Sequence, residues 1–291
     1  ITGGTGMVGS SFKLLETKHK FIFVGSQDYD LTNRSQCVKM ILETKPDAIV
    51  NLAARVGGVK GNTDFVSDFY FENTMINTNV LRVAHEHNVE KVISFLSTCV
   101  YPDQVSFPLT EEQIHNGPPH KSNFGYAYAK RMAHVYSSAL RQQFGRNYIC
   151  AIPNNLYGPC DNFDLENGHV VPAIIRKIYE AKNNSKIPTF WGSGSPLREF
   201  TYSEDIAEIL LFLLEEYDSA VPINIGNTKE ISIRDLVNKI SNILEYDGTI
   251  VWDSTKPEGQ YRKPSSNQRL LDILPDPKYT DLDSGLRKTC D

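Results

Sequence analysis

Short apolar runs alternate with segments of helical period through the first half of the chain. Four of the runs are predicted to be buried strands: "FIFVG" (21–25), "DAIVNLAA" (47–54), "KVISFLS" (91–97) and "YICAIPNN" (148–155). Helical patterns separate them, at 35–45 and 74–88 among others, and "PINIG" (222–226) is predicted to add one more strand. Buried strands joined through helices are typical of a parallel sheet covered on both faces. We therefore predict an α/β fold with a Rossmann-type, doubly wound parallel sheet.

The pattern changes after Asn155. Residues 156–168 are rich in turn formers, a helix is predicted at 171–184, and the tail from about 230 mixes short helices with proline-rich turns. We expect a smaller α/β domain that is interleaved with the sheet domain. The predicted boundaries are 1–162 and 199–229 for the Rossmann domain, and 163–198 and 230–291 for the smaller domain.

The composition of the chain argues against some classes of binding partner. The 291 residues carry a net charge of -5 without a dense Lys/Arg cluster, which argues against nucleic acid and anionic membranes. No stretch approaches the ~20 apolar residues of a membrane span. The five cysteines match no disulfide or metal framework, so we predict reduced thiols, a cytoplasmic protein and no metal site. Because the chain opens on Ile1 at a glycine motif, we expect the natural N-terminus upstream, and a targeting signal stays open.

The opening segment "ITGGTGMVGS" holds the first candidate chemistry. Gly3, Gly6 and Gly9 follow a predicted strand end and, with Met7 between them, enter a helical segment at 10–18. Glycines let the backbone approach a pyrophosphate, and a helix N-terminus attracts its negative charge. The pattern predicts a dinucleotide-binding loop; the alternative is a plain tight turn between strand and helix.

The end of the second predicted strand bears on which dinucleotide binds. The tip reads Gly25-Ser26-Gln27, without the carboxylate that holds the ribose of NAD, which favours NADP(H). No arginine stands there to bind a 2′-phosphate. Asp30 is a candidate acceptor for the adenine amine; equally, it fits the N-cap of a helix that begins near Ser35.

Tyr126 and Lys130 lie four residues apart on one predicted helix. A free phenol has a pKa of ~10, and a neighbouring ammonium favours its phenolate form. Ser97, at a predicted strand end, offers a second hydrogen bond to a substrate carbonyl. An accidental surface pair is the alternative. Glycine loop, Ser and Tyr-x-x-x-Lys in this order resemble the extended short-chain dehydrogenase/reductase superfamily, which acts largely on nucleotide sugars.

Longer motifs narrow the resemblance to one family. The segments "STCVYP", "HNGPPHKSNFGYAYAK", "GHVVPAIIRK" and "WGSGSPLREF" resemble the GDP-L-fucose synthases over essentially the whole chain. The resemblance implies NADPH as cofactor and GDP-4-keto-6-deoxy-mannose as substrate, with 3,5-epimerisation followed by 4-reduction. It also implies a homodimer that forms through the helices near 74–88 and 126–144.

The resemblance assigns the catalytic roles. Cys99 would be the base and His169 the acid that invert the ring carbons next to the ketone, while Ser97, Tyr126 and Lys130 would polarise O4. In isolation, a cysteine such as Cys99 is more often a small buried hydrophobe, and a lone histidine beside a glycine, such as His169, is more often a loop or cap residue. Rival functions of the same fold are a nucleotide-sugar 4-epimerase or 4,6-dehydratase, and a non-catalytic NADP-binding sensor.

Substrate-binding positions also follow from the resemblance. They are Asn155, His169, Lys177, Trp191, Arg198 and Lys256. The alternatives are an ion pair with Glu199 for Arg198, packing under a loop for Trp191 and a solvated side chain for Lys256. The chain departs from the family at Cys160, where many members have histidine, and at Lys177, where some have arginine.

Overall fold

The computed structural model describes residues 1–165, 168–184, 186–256 and 260–291. Its main sheet is parallel, in the order β1-β2-β3-β7. The strands are β1 (Ala48–Asn51), β2 (Lys91–Phe95), β3 (Asn147–Pro153) and β7 (Ile223–Ile225). Thr2 forms parallel bridges to both Val24 and Asn51, so the start of the chain lies beside β1. This confirms the predicted parallel α/β sheet.

Helices cover both faces of this sheet. One core packs α1 (Met7–Ser11), α7 (Ser203–Glu216) and α9 (Gln268–Ile273) on one face, and includes Phe12, Ile206 and Leu270. The opposite core packs α2 (Arg34–Thr44), α4 (Val66–Glu86) and α5 (Phe124–Phe144) on the other, and includes Met40, Leu81 and Leu140. The sheet is therefore doubly wound, as the alternation of strand and helix patterns predicts.

A second core lies outside the main sheet. It includes Ile178, Phe200, Leu236 and Leu286. Its helices are α6 (Val170–Asn184), α8 (Ile233–Ile243) and α10 (Leu282–Cys290). Its strands are β4 (Asn155–Tyr157), β5 (Thr189–Trp191), β6 (Leu197–Tyr202), β8 (Glu230–Ser232) and β9 (Val251–Asp253). These pair as β4-β6-β8 and β5-β9. The chain segments of the two cores are interleaved, and the domain boundaries given above stay a prediction.

Three local predictions differ from the structure. The run 21–25 forms only the bridge at Val24, and the helix after the glycine loop ends at Ser11 because a 3₁₀ turn (Phe12–Leu14) brings Phe12 into the core. Helix α4 begins eight residues before the predicted position 74, because Phe69 and Asn73 are also buried on its inner face. The remaining short helix, α3 (Val59–Asp64), precedes it. No helix in the described part of the chain combines the length and apolarity needed to cross a bilayer.

Candidate active site

The glycine loop forms a tight turn that only glycine fits. Gly3 has φ of 64°, and its carbonyl accepts the N–H of Gly6 at 3.0 Å. A Cβ on Gly9 would stand 2.4 Å from that same carbonyl oxygen. Because backbone atoms surround Gly3 and Gly9, no side chain can replace these two glycines without moving the loop. The bare turn leaves room for a ligand's phosphates to reach the backbone.

One cleft of about 1200 Å³ runs from this loop across the carboxyl ends of the strands. Nearly all sequence-predicted site residues line it: Gly3, Gly6, Met7, Gly9, Asp30, Ser97, Cys99, Tyr126, Lys130, Asn155, His169, Lys177, Trp191 and Arg198. Lys256 is exposed and is not among the described lining residues, so its role stays a prediction. A cleft at this edge of a doubly wound sheet is where such folds bind ligands.

Ser97 and Cys99 enter the cleft from a short turn after β2. The Ser97 hydroxyl accepts the backbone N–H of Cys99 at 3.3 Å and caps a 3₁₀ helix (Thr98–Val100). Cys99 is partly exposed and its thiol is free. The strand end therefore presents a hydroxyl and a thiol side by side, within reach of a bound molecule.

Tyr126 and Lys130 lie on the first turns of α5. The Lys130 ammonium is 5.7 Å from the Tyr126 ring centroid and donates to the Phe95 carbonyl at 2.7 Å. Burial lowers the pKa of Lys130 to about 8. Burial also raises the pKa of Tyr126, and the charge of the neighbouring Cys99 adds to that rise. Burial thus outweighs the neighbouring ammonium and favours the neutral phenol, which holds a proton to donate.

His169 precedes α6, and its carbonyl accepts the N–H of Ala173 at 3.0 Å. The preceding Gly168 lies against Gly58, where a Cβ would come within 2.9 Å of the Gly168 carbonyl. The His169 side chain opens into the cleft, whose walls lower its pKa by desolvation. The structure thus brings His169 into the same cleft as Cys99, although 70 positions separate them in sequence.

The far end of the cleft is cationic. Arg198 donates to the carbonyls of Leu197 and Gln260 at 2.6 and 2.8 Å, and Lys177 donates to Thr189 at 2.8 Å. Neither forms an ion pair with a carboxylate among the described residues, and burial lowers the pKa of both. Trp191, 56% exposed, lines the same end. Two cations beside an exposed aromatic face can hold an anionic group attached to a planar base.

The glycine loop and the Tyr126–Lys130 pair both lie in a segment that matches a known protein family. Residues 1–226 match the model of the NAD dependent epimerase/dehydratase family. The GDP-L-fucose synthase of Dictyostelium discoideum is 40% identical over the whole chain and 93% of its own length. The probable GDP-L-fucose synthase of Drosophila melanogaster is 39% identical over 98% of the chain and 94% of its own length. This chain belongs to the GDP-L-fucose synthase family.

A solved structure agrees with that assignment. The GDP-L-fucose synthetase of Naegleria fowleri, bound to NADP, is 37% identical with a TM-score of 0.93, over 99% of this chain and 91% of its own. The geometry here fits such a cofactor: a Cβ at Gly6 would meet only one atom, at 3.4 Å, so the loop is open towards the cleft.

The sequence alone did not predict the contacts of Lys263 and Glu199. Lys263 has its pKa lowered by burial and interacts electrostatically with Cys99 and Arg198. The buried Glu199 carboxylate accepts the N–H and hydroxyl of Ser265 at 2.9 and 2.5 Å, which holds the segment carrying Lys263 against β6. Glu199 is therefore not the partner of Arg198. No local signal marks Lys263, because its neighbours in space lie 65 or more positions away.

Proposed function

We propose that this protein is a GDP-L-fucose synthase. It converts GDP-4-keto-6-deoxy-D-mannose to GDP-L-fucose by inverting C3 and C5 and then reducing C4 with NADPH. The observation that carries the proposal is the meeting of three groups in one cleft: the Cys99 thiol, the His169 imidazole and the neutral Tyr126 phenol. A simple reductase needs only the phenol; a thiol and an imidazole beside it serve proton exchange at carbon.

The epimerisation uses the acidity of the C–H bonds next to the C4 ketone. Cys99, as thiolate, removes the proton from one face of the ring, and His169 delivers a proton to the opposite face. Ser97 and Tyr126 stabilise the enolate by hydrogen bonds to O4, in a region of low effective dielectric.

The reduction needs a proton at O4. NADPH, when bound, supplies the hydride to C4. The neutral Tyr126 phenol donates its proton to O4, and the nearby Lys130 ammonium stabilises the negative charge left on the phenol. Lys130 is held for this role by its hydrogen bond to Phe95.

The GDP moiety fits the cationic end of the cleft. We assign Arg198 and Lys177 to the diphosphate, because a guanidinium and an ammonium there lack carboxylate partners among the described residues. Trp191 offers an exposed ring for stacking, and Asn155 lies nearby with its amide donating to the Glu199 carbonyl at 2.8 Å. Lys256 is assigned to the substrate on the family resemblance alone.

We also propose a cytoplasmic homodimer. Helices α4 and α5 pack together and expose apolar side chains on their outer faces, among them Phe71 (59%), Phe124 (51%) and Val135 (45%). A second copy would bury this surface. All five cysteines are free, in keeping with a reducing compartment. Light scattering on the purified protein tests the dimer: Val135→Asp is expected to give monomers, and a wild-type monomer would end the idea.

One assay tests the activity. The purified protein receives GDP-4-keto-6-deoxy-mannose and NADPH, the absorbance of NADPH is followed, and the product sugar is identified by NMR. One NADPH consumed for each GDP-L-fucose is the expected result. Turnover without net NADPH consumption would indicate a 4-epimerase or dehydratase, and binding without turnover would indicate a sensor.

A further inference from the structure

Two glycines meet beside the catalytic groups. Gly58 lies between β1 and α3 and is the N-cap of that helix, while Gly168 lies two residues before α6, which packs in the second core. A Cβ built on Gly58 would stand 2.9 Å from the Gly168 carbonyl oxygen and 3.9 Å from its carbonyl carbon. Both glycines line the cleft, so the two segments touch at its wall.

The contact explains why position 58 is a glycine. The Gly58 backbone has φ of -66° and ψ of -174°, an extended conformation that any residue adopts. Among the described residues, and apart from its own neighbours in the chain, only the Gly168 carbonyl group would lie within 4 Å of a Cβ there. An ordinary C···O contact is about 3.3–3.6 Å long, so a side chain would push Gly168 away by roughly 0.4–0.7 Å. The missing side chain lets the segment that carries His169 approach the main sheet.

Both sides of the contact are held by hydrogen bonds. The buried Asn62 side chain donates through Nδ2 to the carbonyls of Gly57 and Gly58, at 2.7 and 3.1 Å. On the other side, the Gly168 N–H donates to the Asp164 carbonyl at 2.8 Å, and a Cβ on Gly168 would lie 2.5 Å from that same oxygen. Each glycine is therefore tied within its own turn, and a displacement at the contact moves the whole turn.

The contact joins the two parts of the catalytic set. Cys99 and Tyr126 lie on a turn and a helix of the main sheet, whereas His169 directly precedes α6 of the second core. In the proposed epimerisation the base and the acid act on opposite faces of one ring, so the rate depends on the separation of these two parts. A misplacement of about 1 Å can slow an enzymatic step about 10²-fold.

We infer that Gly58 and Asn62 are positioning residues that set the distance of His169 from the sugar ring. Gly58 lets the Gly168 carbonyl approach, and Asn62 holds the turn that it meets. The inference rests on the proposed function, in which His169 returns the proton during epimerisation. Reduction at C4 uses Tyr126 and other groups of the main sheet. A side chain at position 58 should therefore impair epimerisation and spare hydride transfer.

Two reactions of the purified protein separate these effects. Epimerisation is followed by NMR as inversion at C3 and C5 of GDP-4-keto-6-deoxy-mannose, and hydride transfer as the reduction of NADP⁺ by GDP-L-fucose. Gly58→Ala is expected to slow inversion about 10- to 100-fold and to change hydride transfer by less than about threefold. Gly117→Ala is the matched control, because a Cβ there would meet only the Pro102 ring, at 3.5 and 3.9 Å, and both rates should stay unchanged.

Two further variants distinguish positioning from general damage. In a His169→Gln background the acid is already absent, so adding Gly58→Ala should slow inversion by no more than about twofold. Asn62→Ala removes both hydrogen bonds to the turn, and we expect inversion to fall about 3- to 30-fold with hydride transfer retained. Thermal unfolding of each variant checks that the rates refer to folded protein.

A measurement on His169 itself does not depend on activity. Burial lowers the pKa of its ring, so a ring pushed outward in Gly58→Ala should titrate at higher pH. NMR spectra of isotope-labelled protein follow this titration, with the His169 signal assigned from its loss in His169→Gln. Gly117→Ala should leave the titration unchanged.

Three results would overturn the inference. They are an unchanged His169 titration in Gly58→Ala, equal losses of inversion and hydride transfer in that variant, and a full further loss when Gly58→Ala is added to His169→Gln. The proposed function fails separately, if the wild-type protein neither inverts the ketone nor oxidises GDP-L-fucose. The His169 titration then still decides whether Gly58 positions the ring.

Discussion

Replacing Cys99 by serine should separate proton exchange from folding and cofactor binding. The backbone N–H of Cys99, not its thiol, donates to Ser97 at 3.3 Å, so the turn survives the substitution. The thiol is partly exposed and near-isosteric with a hydroxyl, and we expect the free energy of unfolding to change by less than about 1 kcal/mol. Loss of a general base should slow exchange by roughly 10²–10⁴-fold, equivalent to about 2.7–5.5 kcal/mol of activation free energy.

The assay follows deuterium rather than NADPH. The protein is incubated with GDP-4-keto-6-deoxy-mannose in D₂O without cofactor, and deuterium at C3 and C5 is measured by NMR over time. Cys160→Ser is the matched control, because Cys160 lines the same cleft and is more exposed, yet has no role in the proposed chemistry. Thermal unfolding and NADPH binding should be unchanged in both variants.

The result that refutes the reasoning is simple to recognise. If Cys99→Ser exchanged deuterium at the wild-type rate, the thiol would not be the base, whatever happened to overall turnover. If Cys160→Ser lost exchange instead, the base would be the thiol at position 160. The first result would leave the reductase chemistry at Tyr126 standing without a known base for epimerisation, whereas the second would move the base to Cys160.

Three further outcomes follow from the structure. Tyr126→Phe should retain NADPH binding and deuterium exchange in part, while reduction falls by roughly 10²–10⁴-fold; full reductase activity would contradict the proton role. Gly9→Ala should lower the free energy of unfolding, measured with denaturant, by about 1–3 kcal/mol, because its Cβ overlaps backbone atoms. Gly6→Ala should leave that free energy unchanged and weaken NADPH binding. Equal stability of the two variants would contradict this reasoning. Burial and the neighbouring His115 lower the pKa of His134 to about 4, so the fold favours its neutral ring. The contribution of the neutral His134 ring to the free energy of unfolding is complete above pH 6.5 and is lost as pH falls towards 4, by up to about 3 kcal/mol. His134→Gln should therefore flatten the dependence of that free energy on pH.

Much of the site follows from local sequence because parallel strands end at one edge. Gly3 directly follows the bridge at Thr2, and Ser97 lies two residues after the end of β2, so both face the same cleft. Tyr126 and Lys130 need only helical spacing to share a face of α5. These positions could be predicted because one short segment fixes each geometry.

The sequence by itself determined the sheet, the glycine turn and the tyrosine–lysine pair, since these depend on residues a few positions apart. The tertiary structure alone decided that burial favours the neutral form of Tyr126, that His169 and Cys99 line one cleft, and that Lys263 comes close enough to Cys99 to interact with it electrostatically. The fold also brings the Asp28 carboxylate to the backbone N–H of Gly25, at a strand tip whose own residues, Gly25-Ser26-Gln27, carry no carboxylate. Solvent exclusion and charge proximity arise from chain segments far apart in sequence, so only the packed fold sets them.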